Sequence, residues 1–181
     1  MMNIKSGNFL PDLSVISPYI FKDFRGCYVE TFNEEEYDKL IYKKYNMSIK
    51  FVQDDISVSS QNVLRGLHGD DRTWKLIQCL KGAFCLAIVD MRKSSETYLK
   101  WELIELNEEN RKQVLVPPGF VNGHLCISDV CIFSYKQSTY YEGAKKQMTV
   151  MWDDPVVGIN WPTDSPILSE RDKTARYLNV E

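Results

Sequence analysis

Short strand-like segments separated by turn residues dominate this sequence, and they constrain its fold more than any other feature. Gly and Pro interrupt the apolar runs, so that Lys81-Gly82, Pro117-Pro118-Gly119 and Asn122-Gly123 are predicted to be turns. The runs between the turns predict strands over residues 48–52, 56–60, 75–80, 83–91, 99–106, 113–116, 124–127 and 131–138. Many short strands at close spacing predict an all-β sandwich or a double-sheet jelly roll.

Helical patterns are confined to two places. Residues 34–47 predict the main helix, because Asn33 can cap it, acidic residues fill its first turn, and apolar residues recur at helical spacing. A short helix around residues 169–177 is predicted in the tail. The chain has 181 residues and no repeat, linker or low-complexity tract, which indicates one domain over residues 1–181.

Charge and cysteine content narrow the class of protein. A net charge of -3 argues against a general nucleic-acid binder, and no apolar stretch is long enough to span a membrane. The five cysteines are odd in number and lack Cys-x-x-Cys spacing, so reduced, mostly buried thiols are predicted. Together with an N-terminus that has no apolar signal core, this predicts a cytoplasmic location.

The chain has only two histidines, His68 and His124. His68 ends the predicted strand of residues 63–68, next to a polar stretch and close to Arg65, and its position alone leaves structural and catalytic roles equally open. His124 lies in an apolar segment and is interpreted as a structural histidine with satisfied hydrogen bonds. Two isolated histidines without His-x-His spacing are a poor ligand set, so no metal site is predicted.

Other polar side chains are ambiguous when each is considered alone. Arg25 and Arg65 have the planar guanidinium groups that bind phosphate oxygens, yet isolated arginines are usually solvated at the surface. Lys75 begins an apolar strand, and the tyrosines near residues 135–141 suit strand packing. Asp172 alone indicates no more than a surface carboxylate.

These residues belong to short motifs that follow one another along the chain. They are DFRGCYVE from Asp23, QDDISVS from Gln53, VLRGLH from Val63, KLI from Lys75, PGF from Pro118, YK and YY from Tyr135 and Tyr140, DDP from Asp153, INWP from Ile159 and LSERD from Leu168. In this order, and over nearly the whole chain, they resemble the dTDP-4-dehydrorhamnose 3,5-epimerase family.

The resemblance implies a fold, an assembly and a set of site residues. The fold is a cupin-type double-stranded β-helix (jelly roll) with a few short peripheral helices. The assembly is a homodimer with exchanged N-terminal strands, using no metal and no organic cofactor. His68 matches the base, Asp172 its carboxylate partner, Tyr135 the opposing acid and Lys75 the cation near the ketone. The matching substrate-binding residues are Arg25, Tyr28, Glu30, Gln53, Asp55, Arg65, Asn122 and Tyr141.

The implied chemistry explains these residue types. A ketone at C4 of a nucleotide-linked sugar acidifies the C–H bonds at C3 and C5. Histidine has an ordinary pKa near working pH (about 6.5) and can accept such a proton. A carboxylate on its other ring nitrogen sets the tautomer, and a cation stabilises the enolate oxygen. A tyrosine on the opposite face can deliver the proton that inverts the carbon.

Four departures from the family pattern bear on which sugar the protein binds. Gly69 and Asp70 follow the base where an aromatic residue and glutamine are usual, and the segment before Lys75 is about three residues shorter. The family's Ala-His-Gly-Phe becomes Val121-Asn122-Gly123-His124, and Asp55 replaces an asparagine. In these departures the chain resembles the epimerases of bacterial capsular heptose biosynthesis, which implies a GDP-linked 4-keto-heptose for capsular polysaccharide as the substrate. The volume that a glycine is expected to open beside the base suits the extra carbon of such a sugar.

Several alternatives to the heptose hypothesis stay open at this point. They are a C3-only epimerase, a dTDP-4-keto-6-deoxyhexose 3,5-epimerase, a 3,4-ketoisomerase and a non-catalytic sugar-binding cupin.

Overall fold

Two antiparallel sheets form the body of the protein. The computed structural model describes residues 2–179. Its strands are β1 (Asn3–Ser6), β2 (Ser14–Ser17), β3 (Ile20–Asp23), β4 (Gly26–Val29), β5 (Gln53–Ser60), β6 (Leu64–Gly69), β7 (Lys75–Lys81), β8 (Ala83–Asp90), β9 (Trp101–Asn107), β10 (Gln113–Val116), β11 (Phe120–Cys126), β12 (Val130–Gln137) and β13 (Met148–Thr149). The helices are α1 (Glu34–Tyr45) and α2 (Glu170–Lys173), with a 3-10 turn at Ala144–Lys146.

The strand order is that of a jelly roll. One sheet has six strands in the order β1-β2-β10-β7-β12-β5, and the other has five in the order β13-β6-β11-β8-β9. Strands β3 and β4 form a separate hairpin. Apart from β1-β2 and β8-β9, neighbours in a sheet are not consecutive in sequence, because the chain crosses repeatedly from one sheet to the other. The predicted cupin-type jelly roll is confirmed.

Strand β8 is apolar at almost every position and lacks the usual alternation of apolar and polar residues. Phe84, Leu86 and Ile88 face the core between the two sheets. Ala87 and Val89 face outward, where the segment that follows β13 covers them. Both faces of β8 are therefore buried, and burial on both faces selects apolar side chains at successive positions.

Helix α1 covers the outer face of the six-stranded sheet. Its Tyr37 and Ile41 pack against Leu76 and Leu115 of that sheet. The side chain of Asn33 accepts a hydrogen bond from the Glu36 backbone N–H, so the predicted cap is confirmed. The helix ends at Tyr45 because the next residue turns left-handed. No helix among residues 2–179 is long and apolar enough to cross a membrane.

Three local predictions are wrong. Residues 48–52 form no strand, because there the chain only links α1 to β5. Asn122-Gly123 is not a turn but lies inside β11, where a strand irregularity needs the glycine. The four strands before α1 were not predicted, since each has only four residues and all but β2 are mostly exposed. The tail helix is limited to Glu170–Lys173.

A close approach of β6 and β11 changes the direction of side chains in β6. A Cβ atom at Gly66 would fall against the Cα of Gly123, and the register shifts between Asn122 and His124. Across this irregularity the inward-facing residues Arg65 and His68 are three positions apart in β6, whereas regular alternation would place them two apart. As a result Leu64 and Leu67 face the outer core, while Arg65 and His68 line the interior.

The cysteines agree with a reduced protein. All five are free thiols. Cys79, Cys126 and Cys131 are buried, Cys85 is half-buried and Cys27 is exposed on the β3–β4 hairpin. The buried thiols contribute to the core as small apolar groups.

We predict that Gly66→Ala destabilises the protein far more than Gly26→Ala. Both glycines have nearly the same positive φ (129° and 128°), but a Cβ at Gly26 would meet nothing within 4 Å. Gly26→Ala should therefore cost only backbone strain, about 1–3 kcal/mol. Gly66→Ala should cost at least about 2 kcal/mol more, because β6 and β11 must separate. Urea unfolding measures both, and equal losses would contradict the proposed close approach.

Candidate active site

A cavity of about 510 Å³ opens between the two sheets. Nine of the twelve predicted site residues line it: His68, Lys75, Tyr135, Asp172, Gln53, Asp55, Arg65, Asn122 and Tyr141. They come from β5, β6, β7, β11 and β12 and from segments after them. The fold thus brings together residues that lie more than a hundred positions apart in the sequence.

His68 and Asp172 form a close pair at this cavity. His68 Nε2 lies 2.7 Å from Asp172 Oδ1. Asp172 is nearly inaccessible, whereas about a fifth of the His68 side chain remains exposed. The pair therefore has an enclosed carboxylate and an imidazole that reaches the cavity.

The environment of Asp172 favours the charged carboxylate. Burial alone raises the pKa of Asp172, but interactions with His68 and hydrogen bonds from Ser169 and the Gly66 backbone outweigh it. The net pKa is below its ordinary value. An ionised carboxylate can only accept hydrogen bonds, so His68 Nε2 carries the hydrogen of this contact, and in a neutral imidazole the lone pair is then on Nδ1.

Lys75 is a buried cation beside this pair. Its Nζ donates hydrogen bonds to Asn122 Oδ1 at 3.0 Å and to the His68 carbonyl at 3.4 Å. Burial lowers the pKa of Lys75 to about 8, and the positive charge of Arg171 acts in the same direction against the opposing effect of Asp70. The ammonium therefore remains mostly protonated at neutral pH, although its proton is less tightly held than in water.

Tyr135 belongs to the sheet opposite His68. It lies on β12, directly across from Asp55 on β5, and both side chains line the cavity. Burial raises the pKa of Tyr135 to about 12, and the negative charge and hydrogen bond of Asp55 add to the effect. The phenol therefore carries its proton at neutral pH.

Amide side chains hold Asp55 in place. Gln53 Nε2 and Gln137 Nε2 donate to its Oδ2 at 2.8 Å and 2.9 Å. Gln53 in turn accepts a hydrogen bond from the Tyr141 backbone N–H at 2.9 Å. Asp55 is thus a fixed carboxylate that faces Tyr135, a contact that the sequence did not indicate.

The structure adds cavity residues that sequence reasoning missed. They are Ile56, Ser57, His124, Phe133, Gln147, Ser169 and Arg171. Arg171 donates to Gln147 Oε1 and Thr149 Oγ1 and brings a third cation to the cavity beside Lys75 and Arg65. Its position next to Asp172 in the LSERD motif was an available signal.

Arg25, Tyr28 and Glu30 do not reach the cavity of the same chain. Arg25 is exposed in the β3–β4 turn and pairs with Asp23 at 2.6 Å. Tyr28 is 68% exposed on β4, and Glu30 follows that strand. Within one chain, the structure therefore separates these three predicted binding residues from the other nine.

The expected extra volume at Gly69 is wrong. A Cβ atom at Gly69 would fall against the Phe120 carbonyl group of β11, so the missing side chain faces a backbone and not the cavity. Asp70 accepts hydrogen bonds from the backbone N–H groups of Arg72 and Thr73 and closes the short turn before β7. The departures at Asp55, Asn122 and His124 do line the cavity.

No cluster suited to a metal ion occurs in the part of the chain that the structure describes. No group of three or more His, Cys, Asp or Glu side chains converges there. His68 Nε2 is already engaged by Asp172, and His124 is enclosed in the barrel.

Comparisons with known proteins identify the family of this chain. The dTDP-4-dehydrorhamnose 3,5-epimerase profile matches residues 8–179. The Salmonella typhimurium enzyme of that name is 36% identical over 174 residues, which cover 94% of this chain and 92% of the relative.

Two crystal structures are similar over 98% of this chain, each with a TM-score of 0.90. A Legionella pneumophila dTDP-6-deoxy-D-glucose-3,5-epimerase in complex with dTDP-4-keto-L-rhamnose is 33% identical, with 93% of that chain covered. A Bacillus anthracis dTDP-4-dehydrorhamnose 3,5-epimerase with TDP and PPi bound is 35% identical, with 100% of that chain covered.

The matching profile and the relatives are carbohydrate epimerases, which are isomerases, and the jelly roll of this chain is the fold of the similar structures. The family match extends over nearly the whole chain and the identities exceed 30%. The chain belongs to the dTDP-4-dehydrorhamnose 3,5-epimerase family.

We predict that Asp55→Asn lowers the pKa of Tyr135 from its value of about 12. The substitution removes the negative charge that opposes tyrosinate formation. Ultraviolet difference titration of each protein against its Tyr135→Phe counterpart isolates this phenol. Asp54→Asn is the matched control, because Asp54 carries the same charge but is exposed and does not line the cavity. An equal pKa in both variants would contradict the coupling.

Proposed function

We propose that this protein inverts C3 and C5 of a nucleotide-linked 4-keto sugar by removing and returning protons next to the ketone. The observation that carries the proposal is the placement of His68 and Tyr135 on opposite sheets, facing one cavity that also holds Lys75. Inversion needs a base on one face of a carbon and an acid on the other. The family assignment supports the same reaction.

In the first step His68 Nδ1 accepts the proton from the carbon beside the ketone. The C–H electron pair forms a double bond to C4, and the carbonyl pair moves to oxygen as an enolate. Asp172 stabilises the resulting imidazolium through the 2.7 Å contact at Nε2. Lys75, held by Asn122, offsets the charge on the enolate oxygen.

In the second step the enolate collapses, and its carbon takes the proton of Tyr135 from the opposite face. The tyrosinate and the imidazolium then exchange protons with water, which restores both groups. Because the same cavity must treat C3 and C5 in turn, the sugar has to shift between the two inversions. This scheme uses neither a metal nor an organic cofactor, and we propose that none is required.

We propose a dTDP-linked 4-keto-6-deoxyhexose as the substrate class. Arg65 and Arg171 are cavity arginines that suit diphosphate oxygens. The relatives described above are named for dTDP-linked sugars. The GDP-4-keto-heptose hypothesis, and with it the link to capsular polysaccharide, depended on extra volume at Gly69. A Cβ atom at Gly69 would face the backbone of β11, so the glycine adds no volume to the cavity.

The β3–β4 hairpin supports a homodimer in which N-terminal strands are exchanged. Its residues Phe24 and Tyr28 are exposed, although both are large aromatic side chains. Arg25, Tyr28 and Glu30 would complete the nucleotide site of the partner, which accounts for their distance from the cavity of their own chain.

A cytoplasmic location stays a prediction.

Incubation with dTDP-4-keto-6-deoxyglucose in D2O tests the reaction directly. We predict deuterium at both C3 and C5 by NMR, because each proton is lost to a base that exchanges with solvent. His68→Asn should slow exchange roughly 100- to 10,000-fold, the usual contribution of a positioned base. Arg72→Ala, which alters an exposed residue outside the cavity, is the control.

Other outcomes identify the alternatives. Label at C3 alone indicates a C3-only epimerase, and a product with the ketone moved to C3 indicates a 3,4-ketoisomerase. Binding without exchange in folded protein indicates a sugar-binding cupin. Turnover of only a GDP-linked 4-keto-heptose would contradict the proposed substrate.

Mixing two inactive variants tests the exchanged strands. Arg25→Ala and His68→Asn damage the site from different elements, so in an exchanged heterodimer one site carries both changes and the other carries neither. After unfolding and refolding together, activity should recover to about a quarter of wild type by statistical pairing. Each variant refolded alone is the control. No recovery in a sample shown to be dimeric by light scattering would contradict the exchange.

A further inference from the structure

His124 occupies an unusual place for a histidine. It lies on the inward face of β11, two residues after Asn122, and it lines the same cavity while only 3% of it is exposed. Across the strand pairs it is aligned with Arg65 of β6 and Leu86 of β8. The mechanism proposed above does not use it.

Aromatic packing fixes the orientation of this ring. The His124 imidazole stacks on Phe133 with centroids 4.1 Å apart and planes 7° apart. Phe84 packs at 5.3 Å from the imidazole, and Phe133 also contacts Tyr135 at 5.3 Å. The imidazole is therefore held in the aromatic layer that ends at the proposed acid.

The polar edge of the ring has no partner within the protein. Among the described residues, His124 Nε2 is the buried side-chain nitrogen or oxygen without a hydrogen bond. Buried polar atoms are almost always paired, because an unpaired one loses its hydration without compensation. The expectation of a structural histidine with satisfied hydrogen bonds is therefore wrong for this atom.

Packing alone does not explain a histidine at this position. A phenylalanine fills the same aromatic layer without an unpaired nitrogen, and the family pattern given above has phenylalanine here. Histidine thus adds a polar group at a place where the protein gains no hydrogen bond from it. The partner therefore has to come from a molecule in the cavity, either a bound water or a ligand.

The charge state of the ring indicates the kind of partner. Burial lowers the pKa of His124 to about 3, and the positive charges of Arg65 and His68 act in the same direction. The ring is neutral at working pH, with one N–H donor and one acceptor nitrogen. A neutral donor–acceptor group in an aromatic layer suits an uncharged hydroxyl group better than a phosphate.

We propose that His124 is a specificity-determining residue that forms a hydrogen bond with a hydroxyl group of the sugar in the bound nucleotide sugar. The inference rests on the proposed function, since it assumes that the sugar occupies this cavity. It assigns the sugar, and not the nucleotide, to the aromatic layer of His124 and Phe133.

Paired calorimetric titrations test the assignment. dTDP-glucose carries the hexose but no ketone, so it binds without reacting, and dTDP lacks the hexose. His124→Phe keeps the aromatic stack and removes the nitrogen. We expect it to weaken dTDP-glucose binding roughly threefold to tenfold, the range of one neutral hydrogen bond. Binding of dTDP should stay unchanged, and the thermal midpoint should rise because the unpaired atom is gone.

The outcomes separate this inference from the function on which it rests. Equal affinities of wild type and His124→Phe for dTDP-glucose, in a protein that performs the exchange reaction, would overturn the inference alone. A parallel loss for dTDP and dTDP-glucose would also overturn it, because the residue would then act through the nucleotide or the fold. Failure of wild type to bind either ligand would overturn both proposals.

A second measurement needs no substitution of His124. The chain has two histidines, so 15N spectra of labelled protein contain two imidazoles, and His68→Asn assigns them. We expect dTDP-glucose, but not dTDP, to shift the ring nitrogens of His124. Unchanged His124 signals in the presence of saturating dTDP-glucose would contradict the hydrogen bond.

Discussion

The hydrogen bond between His68 and Asp172 connects the barrel to its C-terminal segment and holds the proposed base in place. Residues 104 positions apart meet at 2.7 Å, one from strand β6 and one from the four-residue helix α2. Asp172 can be buried as an ion because Ser169 and the backbone of Gly66 also donate to it. The carboxylate in turn determines which nitrogen of His68 is left for the proposed proton transfer.

Strand geometry places Arg65, His68 and Tyr135 around the cavity. The close approach of Gly66 and Gly123 directs Arg65 and His68 to the same side of β6, which regular alternation would not permit. The opposite sheet supplies Tyr135, and the two sheets stand on either side of the cavity. The jelly roll therefore places the proposed acid and the proposed base on opposite sides of one cavity, as the proposed inversion of a ring carbon requires.

The sequence predicted the architecture and most of the cavity, for reasons that are local. Strand patterns and the Asn33 cap are short-range signals, and ordered motifs identified residues such as His68 and Asp172 that only the fold brings together. Long-range consequences were missed. Gly69 was expected to enlarge the cavity, because a sequence does not show that a side chain at this position would face the backbone of β11. His124 was expected to be satisfied, since an unpaired nitrogen is visible only in three dimensions.

The tautomer of His68 tests the central claim most directly, because the proposed base is Nδ1 only if Asp172 fixes the hydrogen on Nε2. Nitrogen-15 NMR of the free enzyme near neutral pH distinguishes a protonated from an unprotonated ring nitrogen. We predict a protonated Nε2 and an unprotonated Nδ1 in wild type, with this preference lost in Asp172→Asn. A hydrogen on Nδ1 in wild type, with Nε2 unprotonated, would contradict it.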